Sequence, residues 1–168
     1  KKNFGLAKSR NIGLLNSNYD YVASIDSDVE CDRCWLENLY QKMVEKDYDL
    51  IGGKLVEKNI ESSINKWRAE ILKQNWGDVS FQNPDFVFGA NSLLNKKKIL
   101  EKKILYDENF KTNGEDVNFS RKLKKSGFSL FYESNAICYH LQLDDINSIS
   151  ERYWRYNFYG AGIKKVTF

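Results

Sequence analysis

Tyr21-Val22-Ala23-Ser24-Ile25-Asp26-Ser27-Asp28 is the stretch on which the fold turns. Its first five residues have the length and apolar character of a strand, and they run directly into an acidic turn. A strand ending in two aspartates holds both carboxylates at a rigid sheet edge, open to solvent and ligand. Carboxylate oxygens are hard ligands for Mg²⁺ or Mn²⁺, ions that keep coordination positions open for phosphate oxygens. The plain alternative is a polar turn with helix-capping aspartates, because Asp-x-Asp alone is a common triplet.

Before this strand, residues 5–16 read as a helix. After it, Trp35, Leu36, Leu39, Met43 and Val44 recur at helical spacing over 33–46, with Asp32 placed to cap the first amides. A strand over 50–56 follows, and Gly52-Gly53 inside it marks a close backbone approach. A helix over 60–74 carries Trp67-Arg68, and the loop beyond it holds Trp76, Gly77 and the only proline, Pro84. Next come an apolar strand over 86–91, a short basic helix over 96–103, and a helix over 116–126 stopped by Gly127. Two short strands, 128–132 and 136–139, precede an aromatic helix over 146–159. Strands alternating with helices specify an α/β layer architecture, whose ligands gather at the carboxyl ends of strands. No repeat or Pro/Gly/Ser linker divides the chain, so residues 1–168 read as one domain, with 146–168 as a C-terminal aromatic helix.

Composition sets the outer bounds. With 168 residues, 42% of them hydrophobic, the chain can bury one sizeable core, which argues against disorder and collagen-like repeats. Twenty-six Lys and Arg against 23 Asp and Glu leave a net charge of +3, too little to call for a nucleic-acid partner. Neither a membrane-spanning run nor a signal-peptide core is visible. Three cysteines do not make a disulfide framework, which fits a reducing compartment, with the cytoplasm as the default. A start without Met, inside a running helix, reads as a piece of a longer chain.

Several other residues carry potential chemistry. His140, the single histidine, stands at a strand end and could complete an aspartate-plus-histidine site of the kind that suits Mn²⁺; the plain reading is a hydrogen-bonded, half-buried imidazole. Glu115-Asp116 opens a helix, where the macrodipole favours negative charge. Thr112-Asn113-Gly114-Glu115 fits a capping box, with Thr112 as the cap and Glu115 reaching back. Asp116 is then left to face a cleft and take a proton from an attacking hydroxyl. Cys31, Cys34, Cys138 and His140 are formally enough for a structural zinc, although Cys31 and Cys34 straddle a helix start rather than a knuckle. The aromatic stretch 152–159 could stack sugars, lie on a membrane surface or seal the core.

Taken together and in order, these motifs resemble the family 2 glycosyltransferases, which have the GT-A nucleotide-sugar fold. The resemblance covers nearly the whole chain. Asn3-Phe4-Gly5-Leu6-Ala7-Lys8-Ser9-Arg10-Asn11-Ile12-Gly13 looks like the helix preceding the metal-binding strand, and residues 21–28 look like that strand with its DxD motif. Trp35-Leu36 is similar to the pair opening the next helix, and Phe88-Gly89-Ala90-Asn91 to the donor-side loop. Tyr106-Asp107-Glu108 with Phe110, then Gly114-Glu115-Asp116, resembles the acceptor segment ending in the ED motif; Cys138-Tyr139-His140 resembles the late histidine.

The resemblance implies a GT-A-like, Rossmann-like mixed sheet flanked by helices. The family's first strand and a further acidic segment are missing ahead of residue 5, so an N-terminally truncated form is expected. It also implies roles: Asp28 at a Mn²⁺ or Mg²⁺ ion and the diphosphate, Asp26 touching the nucleotide ribose or the metal, His140 adding a metal or phosphate contact, Arg10 near the nucleotide base, and Gly89, Ala90 and Asn91 around the donor sugar. Asp116 would be the general base and Glu115 would orient the acceptor. The expected activity is inverting, metal-dependent transfer from a nucleotide-diphosphate sugar to a glycan or lipid-linked hydroxyl in surface polysaccharide synthesis, at the cytoplasmic face with peripheral membrane contact open. Arg152-Tyr153-Trp154-Arg155-Tyr156 is at best a degraded counterpart of the Q-x-x-R-W sequence of processive members, which favours single-sugar transfer. The alternatives are a non-catalytic module that keeps the fold, and a zinc-stabilised interaction domain.

Overall fold

The computed structural model describes residues 3–110 and 112–160. In chain order the elements are α1 (Leu6–Asn16), β1 (Tyr21–Ile25), β2 (Val29–Cys31), α2 (Trp35–Lys46), β3 (Leu50–Glu57) and α3 (Ser63–Ile71). They continue with β4 (Phe81–Gln82), β5 (Asn91–Asn95), α4 (Lys96–Glu101), α5 (Glu115–Lys125), β6 (Leu130–His140) and α6 (Ile146–Gly160). The strands form one mixed sheet in the order β1-β5-β3-β6-β2, with β4 added on β6. Among the described residues only β3 and β6 pair in parallel; the other pairs are antiparallel.

Alternation along the strands sends successive side chains to opposite faces, and both faces are covered. Leu50, Leu94 and Leu130 join Ala7 and Leu14 of α1, Ile99 of α4, and Phe119 and Leu123 of α5 on one side. Their neighbours Ile51, Leu93 and Phe131 join Trp35, Leu39 and Met43 of α2 on the other. The α/β layer class and the GT-A-like mixed sheet therefore stand as expected. In α2 the buried residues fall at intervals of four, while Leu36 and Val44 stay half exposed. The cap differs too: Cys34 is at the N-cap, and Asp32 Oδ1 instead accepts from the Cys34 amide at 3.0 Å, just ahead of the helix.

Three expectations are corrected. Residues 86–91 are not a strand: 84–88 are irregular, a turn occupies Gly89 and Ala90, and the strand starts at Asn91. The aromatic rings explain the shift, since Phe86 and Phe88 pack on Trp76 at centroid distances of 5.1 and 5.8 Å instead of entering the sheet. The two strands over 128–139 are one, β6, whose polar middle is a bulge. There the register jumps from Gly53↔Glu133 to Lys54↔Ile137, leaving Ser134, Asn135 and Ala136 unpaired with β3. The helix over 60–74 shortens to α3, started by Ser62 Oγ accepting from the Asn65 amide at 3.1 Å. The strands β2 and β4 have only three and two residues, too short for a periodicity to announce them.

The C-terminal aromatic helix is present as α6, although the side chain of Tyr159 and residues 161–168 lie outside the described residues. It does not seal the core. Tyr153, Trp154 and Phe158 are about half exposed, and a groove of about 360 Å³ lined by Ile64, Trp67, Ile149 and Tyr153 separates it from α3. Among the described residues no helix is long and apolar enough to cross a membrane.

Candidate active site

Topology brings the candidate residues to one edge. Because β1 and β3 are both antiparallel to β5, and β3 is parallel to β6, the carboxyl ends of β1, β3 and β6 point the same way. The start of β5 lies at that edge as well, with Asn91 opposite Ile25. Since β1 and β2 stand at opposite ends of the strand order, the link Asp26-Ser27-Asp28 crosses the carboxyl edge of the sheet. Pairing of Val29 with His140 then fixes Asp28 beside the histidine, and the Leu141 amide donates to Asp28 O at 2.9 Å.

Two charged clusters occupy this edge. In the first, Arg10 reaches from α1 and gathers three segments. Its Nη1 donates to Ser24 Oγ at 2.8 Å and to Gly89 O at 2.6 Å, its Nη2 donates to Asp26 Oδ1 at 3.1 Å, and its Nε lies 3.2 Å from Glu115 Oε1. Burial alone would lower the guanidinium pKa, but Tyr106, Asp26 and Glu115 raise it on balance. Burial pushes the Asp26 carboxyl up against the opposing pull of Arg10. Burial also pushes Glu115 up to about 7, with the charge of Asp116 adding and that of Arg10 opposing.

Asp116 Oδ2 accepts from the Gly89 amide at 3.0 Å and its Oδ1 from the Val117 amide at 2.8 Å. The turn at Gly89 is thus gripped from both sides, its amide by Asp116 and its carbonyl by Arg10. A Cβ on Gly89 would lie 2.7 Å from Arg10 Cζ, so a larger residue there would have to push the guanidinium aside.

The second cluster centres on His140, whose side chain is 6% exposed. Nε2 lies 3.2 Å from Asp28 Oδ2, and Nδ1 lies 3.0 and 3.1 Å from the two oxygens of Glu57. Glu57 in turn is paired with Arg68 of α3, which also donates to Asp144 Oδ2 at 2.6 Å and to Gln142 O at 2.7 Å. Burial works against a charged imidazole, but the hydrogen bond and charge of Glu57, followed by Asp28, hold its pKa above the ordinary value.

The capping box is corrected here. Gly114, in the left-handed region at φ 88°, is the N-cap of α5, and Thr112 Oγ1 donates to Asn113 instead. Glu115 does not reach back but turns inward to Arg10, and Asp116 is engaged by Gly89 rather than free. Arg10, Asp26, Glu115, Asp116 and Gly89 come together, and Asp28 joins His140.

Two of the residues expected around the donor sugar stand behind the edge. Ala90 is buried in the core cluster that also holds Trp35 and Leu39. Asn91 is fully buried: its Nδ2 donates to Lys54 O and Ala136 O, both at 3.1 Å, and its Oδ1 accepts from Trp35 Nε1 at 2.6 Å. The zinc set does not assemble. Cys31 and Cys138 face each other at 3.3 Å, Cys34 is exposed, and His140 is held by carboxylates. Among the described residues no three His, Cys, Asp or Glu side chains form a group fit to hold a metal by themselves.

Sequence reading missed Ser24, Glu57 and Arg68. A charged residue ending a strand and another within a helix carry no local sign of pairing, and only the fold shows that they meet. Asn11, the neighbour of Arg10, is structural. Its side chain donates to Tyr106 O at 3.0 Å and accepts from Tyr106 N at 2.9 Å, which ties α1 to the segment ahead of α5.

A cleft of about 580 Å³ opens between α1 and the end of β1, lined by Arg10, Ser24, Asp26, Asp28 and Tyr106 among others. At this edge Asp28, 41% exposed, sets a carboxylate beside an imidazole nitrogen, an oxygen and a nitrogen of the donor types that suit a divalent cation.

Comparison with known proteins adds an independent finding. The profile of the family described as Glycosyl transferase family 2 matches residues 1–123. The chondroitin synthase of Pasteurella multocida (strain Pm70) is 25% identical over 175 residues, covering 83% of this chain and 18% of that protein. Glycosyltransferase GlyA of Streptococcus pneumoniae serotype 4 (strain ATCC BAA-334 / TIGR4) is 40% identical over 53 residues, 32% of this chain and 8% of that protein. The chain spans less than a fifth of the length of either relative.

Proposed function

Because the chain belongs to glycosyl transferase family 2, we propose that its carboxyl edge carries an inverting transfer of sugar from a nucleotide-diphosphate donor to a hydroxyl of a glycan acceptor. The observation that carries this reading is the meeting of Asp28 and His140 at 3.2 Å, 112 residues apart in the chain, on the edge where Asp116 holds the Gly89 turn.

Asp116 is the general base. Its two backbone hydrogen bonds fix the carboxylate against the donor loop, where it takes the proton as the acceptor oxygen attacks the anomeric carbon from the face opposite the leaving diphosphate. Inversion follows from that single displacement, with no covalent enzyme intermediate. Arg10 braces the site by tying Ser24, Asp26 and Gly89 together, which fixes the donor loop relative to the end of β1. Glu115, buried behind Arg10, orients that guanidinium rather than touching the acceptor. Asp28 and His140 are the residues that would hold Mn²⁺ or Mg²⁺, which when bound offsets negative charge on the departing diphosphate.

The test is transfer by the full-length protein with nucleotide-sugar donors. Asp116→Asn should lower the rate by about 10²- to 10⁴-fold while the far-UV circular dichroism stays unchanged. A folded variant of undiminished rate would remove Asp116 as the base. Asp28→Ala should weaken nucleoside-diphosphate binding chiefly when Mn²⁺ is present; equal weakening without it would argue against metal coordination there.

A further inference from the structure

We propose that Cys31 and Cys138 are a thiol pair that closes into a reversible disulfide when the surroundings turn oxidising, stapling the edge strand β2 to β6. This pairing is separate from the sugar-transfer reading and does not depend on it.

Strand register places the two sulfurs. Cys31 lies directly opposite Cys138 in the antiparallel β2–β6 pair. The Asp32 amide donates to Ile137 O at 3.0 Å and the Leu141 amide to Asp28 O at 2.9 Å; since hydrogen-bonded pairs alternate along such a ladder, Cys31 and Cys138 form a non-hydrogen-bonded pair. At pairs of that kind the Cα atoms stand about 4.5 Å apart and the side chains come closest. A disulfide accepts Cα separations of about 4.4 to 6.8 Å, so the strands already have the spacing it needs. The Cys138 thiol donates to Cys31 Sγ at 3.3 Å, and rotation of the side chains brings the sulfurs from there to the bond length of about 2.0 Å.

Access is one-sided. Cys138 is fully buried in the core, whereas Cys31 is partly buried at its margin, on a strand of only three residues that ends the strand order. So short an edge strand opens locally at low cost, which admits a small reagent to Cys31 first. Cys34, exposed at the N-cap of α2, stands outside the pair.

The oxidant is a small disulfide of the glutathione class. The Cys31 thiolate attacks one of its sulfurs, the S–S bond of the reagent breaks, and one half leaves as a thiolate. The Cys138 sulfur then attacks Cys31 Sγ, the mixed disulfide breaks, and the second half leaves. Two cysteines have lost two electrons, and the small disulfide has become two thiols that carry the two cysteine protons. The new bond joins positions 107 residues apart, next but one to the Val29↔His140 pair, so β2 can no longer peel away from β6.

The test equilibrates the folded full-length protein with reduced and oxidised glutathione, alkylates the remaining thiols and maps peptides without reduction. A Cys31–Cys138 link should form toward the oxidising end, with Cys34 outside it, and dithiothreitol should remove it. A Cys31–Cys34 link in its place, or Cys31 and Cys138 both alkylated at the oxidising end, would overturn the proposal. Oxidation should also slow hydrogen exchange of the Asp32 amide by about tenfold, because the bond limits the opening of β2. Unchanged exchange in the linked protein would show that the bond is no staple. In Cys31→Ser both the link and the slowing should vanish; slowing that persists there would overturn the assignment to this pair.

Discussion

At the scale of single residues, Arg10 neutralises buried acid and ties side chains at the end of β1 to the Gly89 carbonyl. Glu115 sits behind it, 2% exposed, with a carboxyl whose folded pKa is raised by burial above the ordinary value of 4.5 to about 7. The native state then binds that proton more tightly than the unfolded chain. Stability from this group is complete below pH 4.5 and is lost as pH rises through about 7. Glu115→Gln cannot titrate, so from pH 5 to pH 8 its stability should fall less than the parent's, by about 2 kcal/mol as read from urea midpoints at each pH. Parallel curves for the two proteins would mean that Arg10 holds Glu115 ionised throughout.

At the scale of elements, the bulge in β6 and the loop before β5 solve one problem together. The glycine pair in β3 does mark a close approach: a Cβ on Gly53 would collide with Ala136 O and lie 2.5 Å from Asn91 Oδ1. Asn91 fills that space and satisfies the carbonyls of Lys54 and Ala136, which flank the register jump. Asn91→Leu should therefore cost about 2 to 4 kcal/mol in chemical denaturation, since three buried polar groups lose their partner, the Trp35 indole included. A loss below about 1 kcal/mol would show that the bulge is held by other means. Phe88-Gly89-Ala90-Asn91 resembles a donor-side loop in sequence, but where each of its residues points was not legible there. Gly89 meets the site through its backbone, while Ala90 and Asn91 turn into the core, and the direction of a side chain in a turn depends on what packs behind it.

At the scale of the whole molecule, the site is built from segments that the chain separates widely and the sheet collects. The two faces of the sheet carry the core, whereas α6 lies outside it against α3, anchored by Arg68 and Arg152 on Asp144. Amides of α6 should accordingly exchange with solvent by local opening, well before those of β3 and β6, in a hydrogen-exchange time course. Equal protection would mean that α6 belongs to the cooperative core.

The sequence by itself determined the layer class, most of the helices, the strand ending just before Asp26, and the residues worth watching, because periodicity and turn chemistry are local and leave a local trace. Tertiary structure alone decided that Asp28 meets His140, that Glu115 faces inward to Arg10, and that Glu57 and Arg68 stand behind the histidine. Those contacts arise from strand order and register, and a charged side chain carries no local mark of whether it will end in water or against its opposite.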